Sequence, residues 1–358
     1  MDKGTTFAVA VLALTMVAAP TAGQEAGATS DVWAQLEQTR QWLGQNPPDG
    51  TNASERRAWM AAIQKACDQL HPSTYHAYAA SWAANDGQAD RLEQANLALR
   101  YLRAATIQAM DDIHRARVEQ GVAIWFVYNM GYVFKTPTAC FAIDLCGRDV
   151  ERLAPDLDFL LVSHEHADHY SAPLIWAMIN LGKPVVTRWF RGTTVLDQST
   201  TLQFGDTRVQ VDIGDHHREQ AGQRDNMLMF EVDCGPSAGG AVVYHSGDGN
   251  NYQKMQPAQP VDVFIPHVAV GMSVPAAIEH LQPKLTLVSH VLELAHSPTP
   301  PNAWRWSYDH AFAVIRDIPE AEATVLTWGE RYLLPGTVLQ QETGEPTQPT
   351  QPAADDGE

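Results

Sequence analysis

The 358 residues include 24 Lys and Arg against 42 Asp and Glu, a formal net charge of −18, with 45% hydrophobic and 18% charged residues. That composition supplies a sizeable core and excludes a wholly disordered chain or a disulfide-stapled mini-protein, while the length suits about two domains. So acidic a chain is a poor generic binder of nucleic acid or anionic membrane, and no nucleic-acid partner is expected.

Lys3 precedes an apolar run at 7–19, and small residues follow through Ala22 and Gly23. Residues 1–23 therefore read as a secretory signal cleaved near Gly23 or Gln24. An uncleaved anchor fits less well, because the run is short for a span and Pro20 interrupts its end. The mature protein is expected to be exported, periplasmic or extracellular, with no stable membrane anchor. Residues 24–30 are small and polar and read as a linker.

Residues 31–119 read as a helical region. Trp33, Leu36 and Leu43 share a face, and a turn follows at Pro47-Pro48-Asp49-Gly50. Trp59, Ile63, Ala66 and Leu70 form a second stripe. Leu92, Ala95, Leu99, Leu102, Thr106, Ala109 and Ile113 alternate spacings of three and four, which predicts one long helix packed along its length. Ordinary core accounts for these stripes. A cap or clamp over the following domain is the functional expectation for the region.

From Gly121 short β-branched runs alternate with turns, at 122–128, 140–145, 159–162, 184–187, 209–211, 227–232, 241–244, 261–265 and 285–288. Helical stretches interrupt them at 172–181, 275–281 and 304–315. This alternation predicts a layered α/β (or α+β) domain over residues 120–336. The tail, 337–358, is expected to be disordered; from Glu342 it is rich in Pro, Gln and acid, without Lys or Arg.

Cys67, Cys140, Cys146 and Cys234 allow three disulfide pairings in an exported protein. Cys140 pairs with Cys146 only if the chain turns back near Asp144. Free buried thiols are the alternative.

Fourteen histidines are present, ten of them between His164 and His296. The densest group is Ser163-His164-Glu165-His166-Ala167-Asp168-His169, directly after the apolar run Phe159-Leu160-Leu161-Val162. Imidazoles and a carboxylate in one loop suit zinc and related divalent metals. Such a cluster is awkward in a fold unless metal or solvent satisfies it. It is not a helical HExxH zinc-protease motif, since position 168 is Asp and the segment leaves a strand.

His164-x-His166-x-Asp168-His169 after a hydrophobic strand resembles the signature of the metallo-β-lactamase superfamily, and the likeness runs over about residues 121–334. Within it, the chain resembles the ascorbate-6-phosphate lactonase-like and N-acyl phosphatidylethanolamine phospholipase D-like branches. The resemblance implies a four-layer αββα sandwich preceded by the helical region, with metals held by loops at one edge. It implies a dinuclear site, most readily zinc, with iron or manganese as alternatives. One metal would take His164, His166 and a His at 216 or 217, where His216 fits the spacing slightly better. The other would take Asp168, His169 and His290, with His267 and His296 competing for the last role. Asp248, presented by Tyr244-His245-Ser246-Gly247-Asp248-Gly249, would bridge the two ions, and Asp168 and Asp248 would be the catalytic carboxylates. His217, His245, His267 and Asp144 would support the ligands or face substrate. The implied activity is metal-dependent hydrolysis of a small-molecule ester, lactone or phosphodiester. Since β-lactamases of the superfamily generally lack the bridging Asp, antibiotic hydrolysis is not expected. A phospholipase D-type phosphodiesterase and a non-catalytic metal- or ligand-binding protein are the competing readings.

Overall fold

The computed structural model describes residues 22–84, 87–216 and 226–341. Most of the signal segment, His217 and the tail beyond 341 lie outside these residues.

Five helices lead the chain: α1 (Ala22–Gln45), α2 (Ala53–Asp68), α3 (Pro72–Ala84), α4 (Gln88–Ala95) and α5 (Leu97–Arg115). Two expectations fail here. Residues 24–30 are the start of α1 rather than a linker. The stripe from Leu92 to Ile113 spans two helices, because Asn96 is extended (φ −131°, ψ 116°) and its amide donates to Leu92 O at 2.9 Å. A short polar side chain competing with helical hydrogen bonds breaks the helix without disturbing its periodicity.

β1 (Ala116–Gln120) follows, then β2 (Ala123–Tyr128), β3 (Gly131–Lys135), β4 (Cys140–Ile143), β5 (Phe159–Leu161), α6 (Ala172–Asn180), β6 (Val185–Thr187) and β7 (Thr194–Val195). The second half contributes β8 (Thr200–Phe204), β9 (Thr207–Asp215), β10 (Asn226–Asp233), β11 (Val242–His245), β12 (Val263–Ile265), α7 (Val274–Leu281) and β13 (Leu285–Leu287). Last come α8 (Tyr308–Val314), β14 (Ala323–Thr324), β15 (Arg331–Leu333) and β16 (Val338–Gln341). α8 is shorter than the helix expected at 304–315. β16 lies within the expected disordered tail and pairs antiparallel with β1, which lies within the expected helical region.

The strands form two seven-stranded sheets, β15-β2-β3-β4-β5-β6-β7 and β14-β13-β12-β11-β10-β9-β8. Each is antiparallel on one side and parallel on the other. Period-2 alternation sorts the side chains into layers. Ile124, Phe126, Tyr132, Phe134, Phe141 and Phe159 face inward and meet Val209, Val211, Phe230, Val243 and Ile265 of the other sheet. Their neighbours Trp125, Val133, Ala142 and Leu160 face outward, onto Ile113 of α5 and Leu174, Ile175 and Met178 of α6. On the second sheet, Met229, Tyr244 and Phe264 pack outward on Ala277 and Leu281 of α7. The order helix, sheet, sheet, helix is the αββα sandwich. Stacked rings of Phe134, Phe141, Phe159 and Phe204, with successive centroids 4.9, 4.8 and 4.3 Å apart, run through its middle.

The helical region is joined to the end of the sandwich. Buried Arg56 pairs with buried Glu330 at 2.7 Å. Arg305 donates to Cys67 O, to Leu70 O at 2.9 Å and to Leu294 O at 2.8 Å. Tyr75 packs on Tyr128, whose hydroxyl accepts from Leu294 N at 2.8 Å. The region thereby braces the segment that follows β13. All four cysteines are free and buried, so no disulfide forms, and burial pushes their thiols up, Cys140 to about 12.

α6 begins where the histidine-rich loop ends. Ser171 is its N-cap, accepting from Leu174 N at 3.3 Å. Ser171→Ala is expected to lower stability by about 1 kcal/mol, read from the urea unfolding midpoint at unchanged slope. An unshifted midpoint would show that the cap contributes nothing.

Candidate metal centre

Parallel neighbours end on the same edge of a sheet, and ligand sites of layered α/β folds gather at the carboxyl ends of their strands. Here β5 leads into His164–His169, β9 into His216, β11 into Asp248, β12 into His267 and β13 into His290. The β12–β13 register continues past both strands through a parallel bridge between His267 and Ser289, which sets His267 beside His290.

Three donor groups result. In each, the ligand atoms lie within 4.8 Å of one another. The first is His164, His166, His216 and Asp248; the second is Asp168, His169 and His290; the third is Asp248, His267 and His290. Asp248 connects them. Its Oδ2 lies 3.7 Å from His164 Nε2 and 3.7 Å from His216 Nε2, and its Oδ1 lies 3.1 Å from His169 Nε2. Asp168 Oδ2 lies 3.2 Å from His290 Nε2 and 3.6 Å from His169 Nε2. His166 is exposed and Asp168 half-buried, while the other donors are buried, so the centre opens to solvent over those two residues.

The loops that hold these donors are strained. Asn129, Asp144 and His290 are non-glycine residues with φ of 57°, 50° and 61°. Such conformations persist where surrounding contacts over-determine them. Here His290 N donates to Asn129 O, and the Asn129 amide donates to Asp168 Oδ2 at 2.8 Å. Gly247 has φ 50°, and a Cβ there would come within 2.3 Å of the Met227 methyl and 2.8 Å of Ser163 Cβ. Only glycine lets the turn before Asp248 pass so close to the histidine-rich loop.

Residues 132–290 match the family described as the beta-lactamase superfamily domain. Over that segment, less than half of its length, the chain is similar to the metallo-β-lactamase superfamily. The αββα sandwich is consistent with that likeness, and the loops at its edge hold a candidate His/Asp donor set. Among solved structures, a possible metal-dependent hydrolase from Veillonella parvula is similar at 14% identity and TM-score 0.48, over 60% of this chain and 99% of that one. A metallo hydrolase from Ignicoccus hospitalis is similar at 15% identity and TM-score 0.44, over 62% and 98%. No curated protein matches the sequence.

The donors of this metallo-β-lactamase-fold centre suit a divalent metal by a test internal to the chain. Among the described residues, His164 Nε2, His169 Nε2 and Asp248 Oδ1 are buried without an assigned hydrogen-bond partner, and the last two approach each other to 3.1 Å. Buried polar atoms left unsatisfied and turned towards one another mark a place for an ion. On the far side of the rings the partners are in place. Asp144, fully buried, accepts from Ser163 N at 2.7 Å, Ser163 Oγ at 2.7 Å and His169 Nδ1 at 2.8 Å. Carboxylates behind ligand imidazoles fix ring orientation and raise basicity.

Electrostatics follow from crowding and burial. Burial holds His164 well below the usual imidazole value, and His169 beside it adds to the effect. Burial opposes charge on His169 too, but Asp248, Asp168 and Asp144 outweigh it and raise its pKa. Burial disfavours charge on Asp168 and Asp248, yet His169 above all holds both below the ordinary carboxylate range.

His216 is the member of the 216/217 pair whose position is described, and its ring stands in the first group. His245 is occupied elsewhere, its Nε2 donating to Met130 O at 2.9 Å and its Nδ1 accepting from Gly247 N at 3.1 Å. His296 pairs with buried Glu293 at 2.6 Å and joins none of the three groups. Asn129 and Ser163 are parts that the sequence analysis did not single out. A polar residue in a turn carries no sequence signal of which distant carboxylate it will meet.

Proposed function

We propose that this protein is a dinuclear metal-dependent hydrolase, zinc being the first candidate ion, acting on an ester, lactone or phosphodiester of a small molecule. What carries the reading is two donor groups adjoining through one carboxylate, Asp248, with imidazole nitrogens of both groups facing it. His164, His166 and His216 would hold one ion, Asp168, His169 and His290 the other, with Asp248 between them. A bound pair of divalent ions supplies a water of lowered pKa and charge stabilisation for the oxygen under attack. Asp168 is the more exposed carboxylate of the centre, steadied by the Asn129 amide, and is placed to orient a water. The buried ring of His169, backed by Asp144, stays fixed through the reaction.

The test is a metal assay with a substrate panel. The full chain is expected to hold two equivalents of metal, to lose turnover after chelation and dialysis, and to recover it with added zinc. Turnover confined to phosphodiesters would favour the phospholipase D-type reading. Two equivalents with no turnover across lactones, esters and phosphodiesters would favour the non-catalytic one. Export is proposed from Lys3 and the apolar run at 7–19. A mature N-terminus near Gly23 or Gln24 by mass spectrometry supports it, and an intact Met1 on a chain retained inside the cell opposes it.

A further inference from the structure

A histidine can bind a metal only through a nitrogen that carries no proton, and the hydrogen bond made by its other nitrogen decides which one that is. Ser163 Oγ donates to Asp144 Oδ2 at 2.7 Å and so accepts from His164 Nδ1 at 2.9 Å. His169 Nδ1 donates to Asp144 Oδ2, and His216 Nδ1 approaches Asp248 O at 3.3 Å. Metal binding requires these rings neutral, and in all three the one proton then sits on Nδ1 and leaves Nε2 to face the centre, where His216 Nε2 lies 3.1 Å from His166 Nδ1.

His267 is wired the other way. Ala269 N lies 2.9 Å from its Nδ1. A backbone amide donates and never accepts, so His267 Nδ1 holds a lone pair and the ring's proton is on Nε2. This is true of the neutral ring, and adding a second proton would not free Nε2. His267 is only 5% exposed and is stacked on His290 with centroids 3.9 Å apart. Its Nε2 has no hydrogen-bond partner among the described residues, and a ring nitrogen of His267 lies within 4.8 Å of donor atoms of Asp248 and His290. Spacing alone makes His267 a metal ligand of the third group; its tautomer excludes that role.

We propose that His267 is a fixed hydrogen-bond donor of the centre, offering Nε2–H to the substrate oxygen that gains negative charge during hydrolysis. The inference rests on the hydrolase reading above for its role, but on the Ala269 contact for its tautomer. A rigid donor placed where charge develops needs no rearrangement during the reaction. The stacking on His290 and the Ala269 amide supply that rigidity.

Two measurements on the full chain test it. In the zinc-loaded protein, ¹⁵N imidazole spectra should show His267 protonated at Nε2 and bare at Nδ1, the reverse of His164, His169 and His216. A metal-bound Nε2 at His267 would overturn the proposal. His267→Phe keeps the ring and its stacking but has no donor. It is expected to retain the metal content of the unaltered chain while kcat falls about 10²–10³-fold at little-changed KM. His267→Gln, which restores an N–H, should recover part of the loss. Loss of one metal equivalent in His267→Phe, or an unchanged kcat, would each overturn the donor role. No turnover by the unaltered chain on any panel substrate would sink the hydrolase reading and with it the donor's role. The spectra and metal content would still decide whether His267 is a ligand.

Discussion

Asp248→Ala is expected to empty both halves of the metal centre together. No other carboxylate lies within 4 Å of imidazoles from both donor groups, among the described ion pairs: Oδ2 faces His164 and His216 at 3.7 Å each, and Oδ1 faces His169 at 3.1 Å. Without it the first group keeps only imidazoles, and the second loses the carboxylate that links it to the first. Removing a supporting partner of a metal ligand typically costs 10–100-fold in metal affinity or activity, so removing a shared ligand should exceed about a hundredfold in both. The measurement is metal content after dialysis, with kcat on the best panel substrate. Retention of two equivalents with normal turnover would refute the shared-carboxylate assignment. Loss of one equivalent alone would place Asp248 on a single ion. Because Asp248 sits on a turn that requires Gly247, the variant should be compared by circular dichroism with the unaltered chain.

Legibility from sequence divides along a physical line. The ligands His164, His166, Asp168 and His169 are readable because one loop after one strand carries them, so their spacing is their geometry. Asp248 and His290 are readable only as residues that end apolar runs, since what unites them is the parallel register of β11, β12 and β13. The break at Asn96 leaves no trace, because the next helix resumes on the same face. β1 and β16 are equally hidden: each is short, mixed in polarity, and stabilised by the other from across the chain. The role of His267 is hidden for another reason. Its residue type and place suit a ligand as well as His290's do, and only the backbone amide of Ala269 distinguishes them.

The same logic of tautomers makes Asp144→Asn the sharpest substitution behind the ligands. Asp144 is fully buried and accepts three hydrogen bonds, from Ser163 N, Ser163 Oγ and His169 Nδ1. Asparagine has nearly the same shape but only one acceptor oxygen. If that oxygen faces Ser163 N, the amide NH₂ faces His169 Nδ1, and two donors meet unless the imidazole moves its proton. The proton then goes to Nε2, the atom 3.1 Å from Asp248 and 3.6 Å from Asp168, and His169 can no longer bind metal there. If the amide turns over, its NH₂ faces Ser163 N, a backbone donor that cannot reverse. The first arrangement is therefore favoured. A carboxylate-to-amide change that traps a catalytic histidine in the wrong tautomer costs about 10⁴-fold in kcat where it has been isolated. A loss of that order is expected here, with one metal equivalent missing. The cost to stability should stay within about 1–3 kcal/mol, the range for one poorly satisfied buried group. The ¹⁵N spectrum should show His169 switched to the Nε2-protonated form. Two bound ions, Nδ1-protonated His169 and undiminished turnover in Asp144→Asn would show that Asp144 holds the loop without setting the chemistry of its histidine.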